Sequence, residues 1–136
     1  EISVLDSELA QSDIVAWYRN PARATQDSLA VSYRDGKGDW RAMRPDFIFF
    51  TRGSDDVVKA SIVDPHGTHL ADCLPKLRGL AAFTEQHGSD FHRIEAVAKI
   101  KGALRVLDLT RKDVREAIFN AADAEVLYAS KHANDY

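Results

Sequence analysis

Two short apolar runs, each with an aspartate at one end, constrain this chain more than any other feature. The first is Arg44-Pro45-Asp46-Phe47-Ile48-Phe49-Phe50, and the second is Lys59-Ala60-Ser61-Ile62-Val63-Asp64-Pro65-His66-Gly67. Aromatic and β-branched residues on either side of a turn spanning Thr51 to Asp56 read as two antiparallel strands. In a hairpin the start of one strand lies beside the end of the next, so Asp46 and Asp64 are expected to meet at one end of the sheet. Clustered carboxylate oxygens there suit Mg²⁺ or Mn²⁺. Such a cation lowers the pKa of a bound water and offsets charge on a phosphodiester. The same residues also fit a plainer reading, in which Asp46 follows Pro45 in a turn and Asp64-Pro65 merely ends a strand.

The remaining elements follow from periodicity. Val4, Leu5, Leu9, Val15 and Ala16 recur at helical spacing, so a helix is expected from about Ile2 to the Asn20-Pro21 stop. Glu8 falls on its inward stripe, where a carboxylate needs a metal, hydrogen bonds or a cation to offset burial, unless it snorkels to water. Leu29–Tyr33, Trp40–Phe50 and Val57–Val63 read as a three-stranded antiparallel meander. A second helix is expected over His69–Gln86, with its start moved towards Leu74 because Pro75 suits only a first turn. Phe91–Ile100 and Leu104–Leu109 read as strands joined at Lys101-Gly102. Thr110 is the expected N-cap of a helix reaching Asn120, Glu125–Ala129 forms a last short element, and Lys131–Tyr136 is a polar tail. The fold class expected is α/β, a mixed sheet flanked by helices.

Size and charge narrow the setting. One domain over residues 1–136 suffices at 15.1 kDa, and 45% hydrophobic with 29% charged residues describes a globular protein. The apolar runs are too short for a membrane span, and a lone Cys73 suits a reducing compartment, so a cytoplasmic location without membrane partners is expected. A net charge of −3 does not suit a free-standing nucleic-acid binder. The first residue is Glu1 rather than Met, which suggests a segment of a longer polypeptide able to carry further DNA-binding surface. Basic residues are nonetheless gathered early, at Arg19, Arg23, Arg34, Lys37, Arg41, Arg44 and Arg52.

Trp17-Tyr18-Arg19-Asn20, the strand ending at Tyr33, the Arg44-Pro45-Asp46-Phe47-Ile48 segment and the acid-bearing strand end before Gly67 together resemble a known family. They are similar to the C-terminal nuclease domain of the restriction subunit of type III restriction enzymes and related helicase-nucleases, within the Pro-Asp…Asp/Glu-x-Lys nuclease superfamily. The resemblance implies a restriction-endonuclease-like αβββαβ core and a metal-dependent DNA endonuclease. It makes Asp46 and Asp64 metal ligands for Mg²⁺ or Mn²⁺, with Glu8 a third from the first helix. Its implied partners are double-stranded DNA, an N-terminal helicase or translocase part of the same polypeptide, and a modification subunit. The pattern departs at His66, which stands where the family has lysine; only a protonated ring matches a lysine's charge. Lys76, about a turn into the next helix, is the candidate replacement cation. The alternative is a nuclease fold that has lost catalysis and docks DNA or protein. His66, His69, Asp72 and Cys73 lie in one stretch and lack the two separated ligand pairs of a structural zinc site.

Overall fold

The computed structural model describes residues 1–136. Its elements are α1 (Ile2–Leu9), β1 (Ile14–Arg19), β2 (Val31–Arg34), β3 (Trp40–Met43), β4 (Phe47–Arg52), β5 (Val58–His66), α2 (Cys73–His87), β6 (Phe91–Ile100), β7 (Ala103–Asp108), α3 (Lys112–Asn120), α4 (Ala124–Ala129) and β8 (Asn134–Asp135). Six strands form one mixed sheet in the order β1-β4-β5-β6-β7-β8, while β2 and β3 pair only with each other. Strands β5 and β6 are parallel and joined through α2; every other pairing is antiparallel. The expected α/β class with a mixed sheet is therefore what the chain adopts.

Both faces of the sheet are covered, unequally. On one face Ile62, Ile94, Ala96, Ala98 and Leu107 pack against Leu77 and Leu80 of α2, Ile118 of α3 and Tyr128 of α4 in the larger core. Val4 of α1 closes a smaller core on Phe47, Phe49, Val63, Val97 and Val106. Because side chains alternate along a strand, neighbours such as Ile62 and Val63 serve opposite cores.

Five local expectations are corrected. The first helix ends at Leu9, not Asn20, because Gln11-Ser12-Asp13 interrupt it and Ile14-Val15-Ala16-Trp17-Tyr18 favour an extended chain; these residues pair with Phe47–Thr51 as an edge strand. The single strand expected over Trp40–Phe50 is two strands, since Pro45 has no N–H for a ladder and Asp46 N–H is spent on a side chain. The meander is thus formed by β1, β4 and β5, and the β2–β3 hairpin stands outside the sheet. Thr110 caps nothing: its hydroxyl donates to Asp108, and α3 starts after an extended Arg111. The polar tail ends as a strand, with Asn134–Asp135 pairing to β7.

Other readings stand. The strand over Phe91–Ile100 has the expected bounds, and Lys101 and Gly102 both turn with positive φ. Pro75 occupies the third position of α2, within the first turn that lacks intrahelical partners.

Candidate functional site

The β4–β5 register fixes the first part of the site. Phe47 pairs with Val63, so the next positions outward, Asp46 and Asp64, face each other. Asp46 N–H donates to Asp64 Oδ1 at 3.2 Å, and Asn20 N–H closes on Asp46 C=O at 3.0 Å. The two acids thus meet at one end of the sheet, as the spacing predicts. Burial, with the nearby carboxylates of Glu1 and Asp64, pushes the Asp46 carboxyl up to about 6, although Arg19 pulls the other way. Arg19 Nη2 stands 3.6 Å from Asp46 Oδ1, and its Nη1 is 3.1 Å from Glu1 Oε2.

His66 shares its strand face with Asp64. Its Nδ1 lies 3.6 Å from Asp64 Oδ2, and its Nε2 is 2.8 Å from the Tyr128 hydroxyl. Burial works against a charged ring here, but hydrogen bonding to Asp64 and Cys73 outweighs it and raises the pKa to about 9. In its protonated form the ring presents a donor at each nitrogen, Nδ1 towards Asp64 and Nε2 towards Tyr128. Tyr128, fully buried, has its own pKa raised well above the usual range, chiefly by burial. The tyrosine therefore stays a neutral acceptor for His66.

Lys76 reaches the same cavity from α2. Its Nζ is 2.7 Å from Asp72 Oδ2, an i, i+4 pair. Burial disfavours its charge, but the Asp72 ion pair more than compensates and raises its pKa. Asp46, Asp64, His66 and Lys76 line one open cavity of about 930 Å³, together with Arg44 and Lys99. Of the residues singled out from sequence, these four come together.

Glu8 does not join them. It is completely buried, as its inward position implies, but Arg93 Nη1 and Nη2 donate to its two oxygens at 3.2 and 2.5 Å and the Tyr136 hydroxyl donates to Oε1. Arg93 and Glu95 flank Ile94, so they project to the α1 face, opposite the face that Asp64 shares with Ile62. A cation and a hydroxyl, not a shared site with Asp46, offset the burial of Glu8. Glu1 instead is the α1-end acid that borders the cavity, a placement with no signal in periodicity because it lies before the helix. Tyr128 was equally hidden, since the return of α4 onto β6 and β7, which brings its hydroxyl to His66, leaves no local trace. Asp72 turns to Lys76, so the His66–Cys73 stretch does not close around one point.

No group of three or more His, Cys, Asp and Glu side chains converges as a ready-made metal cage. Mg²⁺, however, commonly takes one or two carboxylates and keeps several waters. The Asp46–Asp64 pair supplies hard oxygen donors of that kind; the Asp46 carboxyl is raised first by burial and then by the carboxylates of Glu1 and Asp64.

A family model described as the YagJ family matches residues 1–136, the whole chain. The chain belongs to the YagJ family. Protein YagJ of Escherichia coli (strain K12) is 45% identical over 136 residues, covering all of this chain and 55% of that protein. The chain therefore spans about half the length of this curated relative. No solved structure matches it. In this YagJ-family chain the cavity is lined by the acids Glu1, Asp46 and Asp64 and by the cations Arg44, Lys76 and Lys99. No helix is long and apolar enough to cross a membrane.

Proposed function

We propose that this YagJ-family chain is a divalent-cation-dependent DNA endonuclease with a variant Pro-Asp…Asp-x-His site. The observation that carries the proposal is the meeting of Asp46 and Asp64 at one end of the β4–β5 hairpin, with the Lys76 ammonium in the same cavity. The order α1-β1-β4-β5-α2-β6, once the β2–β3 hairpin is set aside as an insertion, also agrees with a restriction-endonuclease-like αβββαβ core.

Asp46 and Asp64 would hold Mg²⁺ or Mn²⁺, which when bound supplies an acidified water and charge neutralisation at a phosphodiester. The chain's own cations do the rest. Lys76 and Lys99, which line the cavity, offset phosphate charge, and Asp72 orients Lys76 through the 2.7 Å ion pair. His66 acts as a fixed positive charge behind Asp64; at neutral pH it holds its proton and does not serve as a base.

Supercoiled plasmid incubated with the chain and Mn²⁺ tests this reading. Nicking is expected, with Asp46→Asn and Asp64→Asn each lowering the rate about a hundredfold and Lys76→Ala by a smaller factor. Absence of metal-dependent nicking, or an Asp64→Asn variant that cuts at the original rate, contradicts it.

One observation favours a second reading, a DNA-docking module without catalysis. Asp64 already has a cationic neighbour in His66 and accepts from Asp46 N–H, which weakens its hold on a further cation. DNA binding without cleavage, unchanged by Mn²⁺, is the outcome that selects it.

A further inference from the structure

The β2–β3 hairpin stands outside the sheet and packs on α2, and between them runs a second groove of about 910 Å³. Its wall carries the rings of Tyr33, Trp40 and Phe83 together with Arg34, Arg78 and His87. Trp40 is 63% exposed, the most exposed aromatic side chain of the molecule's large hydrophobic residues. The Arg34 guanidinium lies 4.3 Å from the centre of one indole face, which stiffens the ring without enclosing it. Arg34 is itself held by donation to Gly38 C=O at 2.9 Å. Arg78 donates to Ala121 C=O at 2.6 Å, yet its buried Nε has no hydrogen-bond partner. The one acid on the wall, Asp35, is engaged by Arg41 at 3.0 Å. An exposed indole beside two guanidinium groups, on a wall whose one acid is already paired with Arg41, has the chemistry of a base-stacking and phosphate-binding surface.

The groove also has a direction. Tyr33 borders both it and the Asp46–Asp64 cavity, and on α2 Lys76 faces one while Pro75 and Arg78 face the other. A strand lying in the groove therefore continues towards the candidate metal site. A B-form duplex buries its base faces in the stack, so only unpaired bases can use Trp40.

We infer that the groove between the β2–β3 hairpin and α2 binds single-stranded DNA, with Trp40 stacking on an unpaired base and Arg34 and Arg78 facing the backbone. This rests on the nucleic-acid part of the reading above, but not on cleavage.

The test uses the full chain in EDTA, where metal-dependent cleavage cannot intervene, with fluorescence anisotropy of labelled oligothymidylate and of a blunt duplex. Preference for the single strand is expected. Trp40→Ala should weaken single-strand binding about tenfold, within the range of one stacked base, while Trp40→Phe keeps most of it. In a Trp17→Phe background, Trp40 fluorescence should quench on adding oligothymidylate. A Trp40→Ala chain that binds the single strand as tightly as the original, or Trp40 emission unmoved at saturation, overturns the inference. If Trp40→Ala loses single-strand binding while Asp46→Asn cuts normally, the groove stands and the catalytic reading falls; the opposite pair of results sinks the groove alone.

Discussion

At Asp46, burial and the carboxylates of Glu1 and Asp64 raise the folded-state pKa to about 6 from the usual carboxylate range. A raised acid binds its proton more tightly when folded, so its contribution to stability is complete below pH 4 and is lost as the pH rises through about 6. Asp46→Asn is therefore expected to stabilise the chain at pH 7 by about 1–2 kcal/mol and to change little at pH 4, as read by urea unfolding. A variant destabilised at pH 7 would contradict that assignment. His66 has the same sign with a later window: its protonated form stabilises the fold fully below pH 6.5 and the benefit disappears through about 9. Because the imidazolium repels a cation at Asp64, Mn²⁺ affinity should keep rising between pH 7 and 9, and His66→Gln should flatten that rise. Glu8 gives a third case. Removing it leaves Arg93 and Tyr136 without their shared acceptor in the interior, so Glu8→Ala should cost about 3–5 kcal/mol, whereas it should not abolish Mn²⁺ binding.

Among the elements, the β2–β3 hairpin depends on one glycine. A Cβ at position 79 of α2 would come within 2.4 Å of Tyr33 Cβ and 3.0 Å of Ser32 O, so the hairpin and helix touch through the missing side chain. Gly79→Ala should push the hairpin away at a cost of about 1–3 kcal/mol and lower hydrogen-exchange protection in β2 more than in β6. Equal protection in both would refute the close packing. How much of such architecture could be read in advance varied with the kind of interaction. The Asp46–Asp64 meeting was legible because hairpin register is local. The inward position of Glu8 was legible too, since helical periodicity sets it, but its partner Arg93 lies on a distant strand. The segment Ile14–Arg19 misled because its apolar residues continue a helical spacing across Gln11-Ser12-Asp13, while edge pairing with β4 decided in favour of strand. Strand β8 had no signal beyond two polar residues, and pairing with β7 alone makes it.

For the molecule as a whole, Glu8 of α1 ties that helix to one face of the sheet through Arg93 and Tyr136, while α2 and α4 bring Lys76, Cys73 and Tyr128 to the other. The candidate site lies at the end of the sheet where that second face meets the β4–β5 hairpin, and the stacking groove lies one step along α2. The Glu8 cluster and the candidate site are thereby separated in space, which is why the Glu8 variant and the Asp46 variant should behave differently. The central claim, that Asp46 and Asp64 together hold a divalent cation, is tested most directly by calorimetric titration of Mn²⁺ into the chain and into its Asp64→Asn variant at pH 7.5. The account predicts one saturable site in the original chain and at least a tenfold weaker one in the variant; no heat in the original chain, or equal affinity in both, would contradict it.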